Sequence, residues 1–112
     1  MLSVTTTGRG PNLVMLHGWG LNSNVWSAML PALQNRWRVT CIDLPGHGGS
    51  CARIDLRDLD AVCTALELAA PRTPAVWLGW SLGGLIATAY ALRYPECVSR
   101  LILVASQPRF AS

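Results

Sequence analysis

Apolar residues along the chain fall into short unbroken runs separated by longer stretches of helical spacing, and this alternation predicts the fold class. Residues 12–16 form a continuous run after the turn signal Gly8-Arg9-Gly10-Pro11, as expected of a strand buried on both faces of a parallel sheet. Residues 24–35 carry Val25, Trp26, Met29, Leu30 and Leu33 at helical spacing, with Pro31 expected to kink the helix. Residues 38–44 read as a second strand with β-branched Val39, Thr40 and Ile42, ending in Asp43 and the turn Pro45-Gly46-His47-Gly48-Gly49-Ser50. A second helix is predicted over 56–70, where Leu59, Val62, Cys63, Leu66 and Leu68 recur at near-helical spacing before Pro71 and Pro74. A third strand at 75–79, a helix over 82–94 stopped by Pro95, and a fourth strand at 98–105 complete the pattern. Strands alternating with helices imply a mostly parallel sheet, right-handed crossovers and helices on both sheet faces, which is an α/β fold.

Composition narrows the function classes. A chain of 112 residues with 51% hydrophobic and 13% charged residues is globular, and it holds no repeat or low-complexity tract. The formal charge of +3 comes from nine arginines against six acids, scattered from Arg9 to Arg109 with no basic stripe, so no nucleic-acid partner is expected. The first ten residues are polar and hold no signal-peptide core, and no apolar stretch is long enough to span a bilayer. A cytoplasmic protein without a membrane partner is therefore expected. Cys41, Cys51, Cys63 and Cys97 are irregularly spaced, with no CxxC pair and no histidine at ligand spacing, so they read as free thiols. Neither a metal nor a cofactor is called for.

The chemistry concentrates between the third strand and its helix, where Gly79-Trp80-Ser81-Leu82-Gly83-Gly84 matches the G-x-S-x-G nucleophile elbow. In that motif a serine occupies a sharp strand-to-helix turn with its hydroxyl in an open cleft, so Ser81 is the candidate nucleophile, against the plainer reading of a turn serine capping a helix. Acyl transfer also needs donors for the developing oxyanion, and the backbone N–H groups of Leu82 and of Trp19, in the loop His17-Gly18-Trp19-Gly20, fit those places. In α/β-hydrolases the order is serine, acid, histidine, whereas His17 and His47 both precede Ser81. His17 is therefore expected to anchor the oxyanion loop by hydrogen bonding, His47 to be a polar turn residue, and Asp43 not to be the catalytic acid. Trp19 and Trp80 are expected to line an acyl pocket, and Trp26, Trp37 and Trp77 to be packing residues. A dinucleotide-site mimic, Gly18-x-Gly20-x-x-Ser23 followed by Asp43, is disfavoured because Ser23 stands where a third small residue must let helix and strand approach.

The segments Leu16-His17-Gly18-Trp19-Gly20-Leu21-Asn22, Asp43-Leu44-Pro45-Gly46-His47-Gly48-Gly49-Ser50 and Trp77-Leu78-Gly79-Trp80-Ser81-Leu82-Gly83-Gly84-Leu85 together resemble the pimeloyl-[acyl-carrier protein] methyl ester esterase family of biotin synthesis. The resemblance covers essentially the whole chain, including the ending Val104-Ala105-Ser106-Gln107-Pro108-Arg109-Phe110. It implies that Ser81 is the nucleophile, that Trp19 and Leu82 bind the oxyanion and acyl carbonyl, and that the substrate is a pimeloyl-acyl-carrier-protein methyl ester. It also implies that residues 1–112 are the N-terminal part of an α/β-hydrolase core domain, truncated after the strand that follows the elbow helix. That family continues with a helical cap and with strands bearing the catalytic Asp and His, so the chain alone is expected to be inactive. Its apolar strand 98–105, left as an open edge, is expected to promote self-association. Two other readings stay open: a broad esterase for short acyl esters, and a non-catalytic α/β module that binds acyl ligands or a partner.

Overall fold

A computed structural model describes residues 2–50 and 53–105. Among the described residues, five strands pair into one sheet: β1 (Val4–Thr7), β2 (Asn12–Leu16), β3 (Arg38–Ile42), β4 (Ala75–Trp80) and β5 (Val98–Val104). The strands lie side by side as β1-β3-β2-β4-β5. β2 is parallel to β3 and β4, and β4 is parallel to β5, while β1 runs antiparallel to β3. This is the mostly parallel α/β sheet expected from the alternation of runs.

The first strand is an addition to that expectation. Val4–Thr7 has no buried residue, so no apolar run marks it. Its signal is β-branching: Val4 and three threonines suit a pleated edge, and Thr6 stands opposite Thr40 with the two hydroxyls 3.5 Å apart.

Side chains of β4 alternate between two cores, as a period of two requires. Ala75 and Trp77 join Leu16, Ile42 and Leu44 on the face covered by α2 (Leu59–Ala69) and α3 (Leu82–Arg93). Trp77 is wholly buried there and stacks on Tyr90 of α3, ring centroids 4.2 Å apart. Burying each such large apolar side chain contributes about 1.5–3 kcal/mol, and this layer fixes α3 against the sheet. Val76, Leu78 and Trp80 point to the opposite face, with Leu13, Met15, Val39, Cys41 and Trp26.

The helix expected over 24–35 is replaced by two short pieces, a 3₁₀ turn at Ser23–Trp26 and the single-turn α1 (Leu30–Leu33). Pro31 lies in the first turn of α1, where a missing N–H costs nothing, so it starts a helix instead of kinking one. α2 begins three residues later than the periodicity predicts, because Asp58 caps it by accepting from the Ala61 N–H at 3.1 Å. Leu56 and Arg57 are thereby left in the preceding loop, next to the site described below.

β5 is the other sheet edge, and Ile102, Leu103 and Val104 are 39%, 48% and 43% exposed on it. Cys41, Cys63 and Cys97 are free thiols, whereas Cys51 and residues 106–110 of the expected exit segment lie outside the described residues. Among the described residues no helix is long and apolar enough to cross a membrane.

Candidate active site

Ser81 joins β4 to α3 with φ 56° and ψ −115°. That conformation is disfavoured for any residue with a Cβ and stores about 1 to 3 kcal/mol of strain, so the surroundings must enforce it. Two glycines do so by close approach. A Cβ on Gly79 would run into the carbonyl of Gly83, and a Cβ on Gly83 into the carbonyls of Leu16 and His17. The first turn of α3 therefore sits directly on the ends of β4 and β2, and the chain can turn only through Ser81. The Ser81 N–H donates to the Val104 carbonyl at 3.0 Å, which ties the turn to β5 as well. The Ser81 side chain makes no capping bond to α3, contrary to the plainer reading of this residue.

The loop His17-Gly18-Trp19-Gly20 lies against this turn. An ideal Cβ on Gly18 would be 3.6 Å from Ser81 Cβ and 3.5 Å from the Trp80 carbonyl oxygen. His17 is fully buried, and its Nε2 accepts from the Leu44 N–H at 2.9 Å. The ring proton therefore resides on Nδ1, which donates to the Gly18 carbonyl at 2.8 Å. Burial holds the His17 pKa below the ordinary 6.5, with His47 adding to the effect and the Gly18 carbonyl and Asp43 opposing it. His47 is engaged in the same manner. Its Nε2 accepts from the Gly20 N–H at 2.8 Å, and Nδ1 donates to the Pro45 carbonyl at 3.0 Å. Both imidazoles thus use both nitrogens on backbone groups, and neither keeps a lone pair for the Ser81 proton. His17 anchors the loop as the sequence suggests. His47 does more than occupy a turn, since it joins that turn to the loop.

Asp43 organises the third corner. Its Oδ1 accepts from the Ser23 N–H at 2.8 Å and its Oδ2 from the Gly49 N–H at 3.1 Å. Burial opposes its charge, but these bonds outweigh burial and keep the carboxyl below its usual pKa range. Ser50 completes the knot by donating to the Asp43 carbonyl at 2.5 Å and accepting from the Ser3 N–H at 2.8 Å. Asp43 is therefore a loop-setting carboxylate, placed neither to orient an imidazole beside Ser81 nor to bind a ribose. No local pattern in the sequence marks this network, because its partners are far apart along the chain, Ser23 with Asp43 and Ser3 with Ser50.

A cleft of about 440 Å³ opens at this end of the sheet, lined by Trp19, Leu82, Leu85, Leu56, Leu59 and Arg57. Trp19 is 70% exposed, and its ring meets His47 edge-on at 5.1 Å. Trp80 is a correction: it was expected to line the pocket with Trp19, but strand alternation turns it to the opposite face, where it meets Trp26 at 6.3 Å. Trp26, Trp37 and Trp77 are packing residues as expected. Leu56, Leu59 and Arg57 were not anticipated here, and the only sequence signal for them is the late cap at Asp58. A larger hollow of about 690 Å³ lies between β1 and α2, with none of the elbow residues in its lining.

A parallel sheet carrying a strained serine turn beside a glycine-rich loop defines a fold class, and the chain belongs to the α/β hydrolase fold family, whose model matches residues 11–112. Among curated proteins it is 51% identical over 105 residues to the pimeloyl-[acyl-carrier protein] methyl ester esterase of Vibrio campbellii, covering 94% of this chain and 41% of that protein. The protein of the same name from Methylococcus capsulatus is 46% identical over 111 residues, covering 99% and 43%. Among solved structures, an esterase from Exiguobacterium antarcticum superposes with a TM-score of 0.84 at 31% identity, covering 94% of this chain and 41% of that one. The chain spans about 40% of the length of the curated relatives it matches.

Proposed function

We propose that this chain carries the nucleophile and the oxyanion site of a serine carboxylesterase that hydrolyses the methyl ester of pimeloyl-acyl carrier protein. The observation that carries the reading is the strained Ser81 backbone, held at φ 56° at the head of α3 beside an apolar cleft. Ser81 Oγ attacks the ester carbonyl while a base takes its proton, and the negative charge moves to the carbonyl oxygen. The N–H groups of Leu82 and Trp19 donate to that oxyanion, each on the order of a hundredfold in rate. Collapse breaks the bond to the methoxy group, which leaves as methanol after protonation, and water then releases the acyl group as a free carboxylate. With His17 and His47 committed to backbone groups, the base and its orienting acid come from outside the described residues. The names of the curated relatives support the substrate.

Intact-mass spectrometry after exposure to a fluorophosphonate tests the assignment, because that probe reacts with serines that a base activates. In protein that also carries that base, one adduct, lost in Ser81→Ala together with ester turnover, is the expected result, and unchanged turnover in Ser81→Ala would overturn it. Comparison of pimeloyl-acyl-carrier-protein methyl ester with short acyl esters separates the specific enzyme from a broad esterase. The engagement of both imidazoles favours a second reading for the chain by itself, an α/β module that binds acyl groups without turning them over. Folded protein that takes no adduct yet binds a pimeloyl ester supports it. A cytoplasmic location belongs to the same proposal, as does self-association through the exposed edge of β5, for which a stable monomer in size-exclusion chromatography is the opposing result.

A further inference from the structure

We propose that His47 is a positioning residue, which holds the loop carrying Trp19 in place through the Gly20 amide only while its imidazole is neutral. The loop has two points of attachment on either side of Trp19. On one side Gly18 is bound through the buried His17 ring, and on the other the Gly20 N–H donates to His47 Nε2 at 2.8 Å. The second side has little else to fix it. Gly20 sits at φ 77°, an ideal Cβ there would meet nothing within 4 Å, and Trp19 is largely exposed. Besides the His47 bond, the turn closes on itself by a longer bond, Leu21 N–H to the Gly18 carbonyl at 3.3 Å. His47 also forms the wall against which Trp19 stands, with ring centroids 5.1 Å apart at 74°.

The bond depends on protonation because of which nitrogen accepts. Nδ1 already carries a proton, donated to the Pro45 carbonyl, so a second proton must go to Nε2 and would face the Gly20 N–H donor to donor. The groups around the ring do not supply another acceptor for Gly20. His17, whose ring is 5.2 Å away, is buried and uses both nitrogens. Asp43, at the end of β3, is occupied by Ser23 and Gly49. Asp55 and Arg57, which border the same small hollow as His47 and Trp19, pair with each other at 3.0 Å. Protonation of His47 therefore releases the Gly20 side of the loop while His17 keeps the Gly18 side.

The catalytic consequence rests on the reading of Trp19 as an oxyanion donor, but the attachment itself does not. The test is ¹⁵N NMR of the protein as lowering the pH takes His47 from its neutral to its protonated form. His47 Nε2 is expected to show the unprotonated acceptor shift at the alkaline end. The Gly20 amide is expected to lose on the order of tenfold in exchange protection in step with His47 protonation. His47→Phe keeps a ring beside Trp19 but has no acceptor, so Gly20 should be unprotected at every pH. His47→Gln retains an acceptor and should restore protection without the pH dependence. Gly20 protection that ignores His47 protonation in the unsubstituted protein overturns the proposal, even if neither variant folds. Equal protection in a folded His47→Phe variant also overturns it. If ester turnover is absent from protein that also carries the base while Gly20 follows His47, the esterase reading fails and the attachment stands. Turnover with a kcat unaffected by His47→Phe overturns the catalytic role, for which about a tenfold fall in kcat at little-changed KM is expected.

Discussion

The two halves of the candidate site are held in place by different kinds of force. The elbow is fixed by backbone against backbone: Gly79 and Gly83 admit no side chain, and Ser81 takes the one turn that remains. The loop around Trp19 is fixed by side chains that titrate, with His17, His47 and Asp43 each accepting backbone N–H groups from a distant segment. Steric exclusion does not depend on pH or salt, whereas an imidazole acceptor lasts only while it is neutral. Ser81 is thus set rigidly, and the loop carrying Trp19 beside it is set by bonds that solution conditions can remove.

The sharpest way to break the elbow is Gly83→Ala. Alanine favours a helix over glycine by about 1 kcal/mol, which alone would stabilise α3. The added Cβ, however, would meet the carbonyls of Leu16 and His17, main-chain atoms of β2 and of the loop that follows it, which cannot rotate away. Overpacking against backbone wins, and a loss of about 3 kcal/mol or more is expected in chemical denaturation followed by circular dichroism. A stability equal to or above that of the unsubstituted protein would mean that α3 is free to lift off the sheet.

The corresponding break in the loop half is Asp43→Ala, with a smaller effect. It leaves the Ser23 and Gly49 N–H groups without their acceptor, but both segments lie near the surface where water can substitute in part. About 2 kcal/mol is expected. The distinguishing readout is local: exchange of the Ser23 and Gly49 amides should rise before global unfolding, while the amides of α3 keep their protection. Equal loosening of both halves would show that elbow and loop form a single cooperative unit.

The same division explains what was legible in the sequence. The elbow is local: its glycines and serine lie within six residues of one another, and Gly79 and Gly83 are demanded by close approaches, so the motif alone placed the turn. The parallel sheet was legible because β2, β3 and β4 are apolar runs. β1 was not, since an exposed edge strand of Val4 and threonines buries nothing. The helix expected over 24–35 failed because apolar spacing continues across Pro31 while the hydrogen-bond ladder cannot. The roles of His47 and Asp43 were illegible for a different reason. A histidine in a glycine-rich turn and an aspartate at a strand end gain their meaning only from Gly20, Ser23 and Gly49, and nothing in the local pattern names those partners. Trp80 misled because it adjoins Ser81 in sequence, although neighbours along a strand face opposite ways.

The smallest effect expected is also the most specific to the loop half. Because burial depresses the pKa of His17 below the ordinary 6.5, the unfolded chain takes up that proton before the folded one does. The stability contributed by neutral His17 is therefore complete above about pH 6.5, and it declines as the pH falls from there toward the folded pKa. The slope for this single proton is at most about 1.4 kcal/mol per pH unit, and carboxylates add their own acid dependence at lower pH. Direct observation of the ring avoids that overlap. The carbon-bound protons of His17 are expected to keep the chemical shift of a neutral imidazole below pH 6.5 and to change only as the loop opens. The Ser81 amide, donated to Val104, should keep its protection over the same range. Titration of His17 at the ordinary value with the Leu44 amide still protected would show that the imidazole acceptor is dispensable, and that packing holds the loop as it holds the elbow.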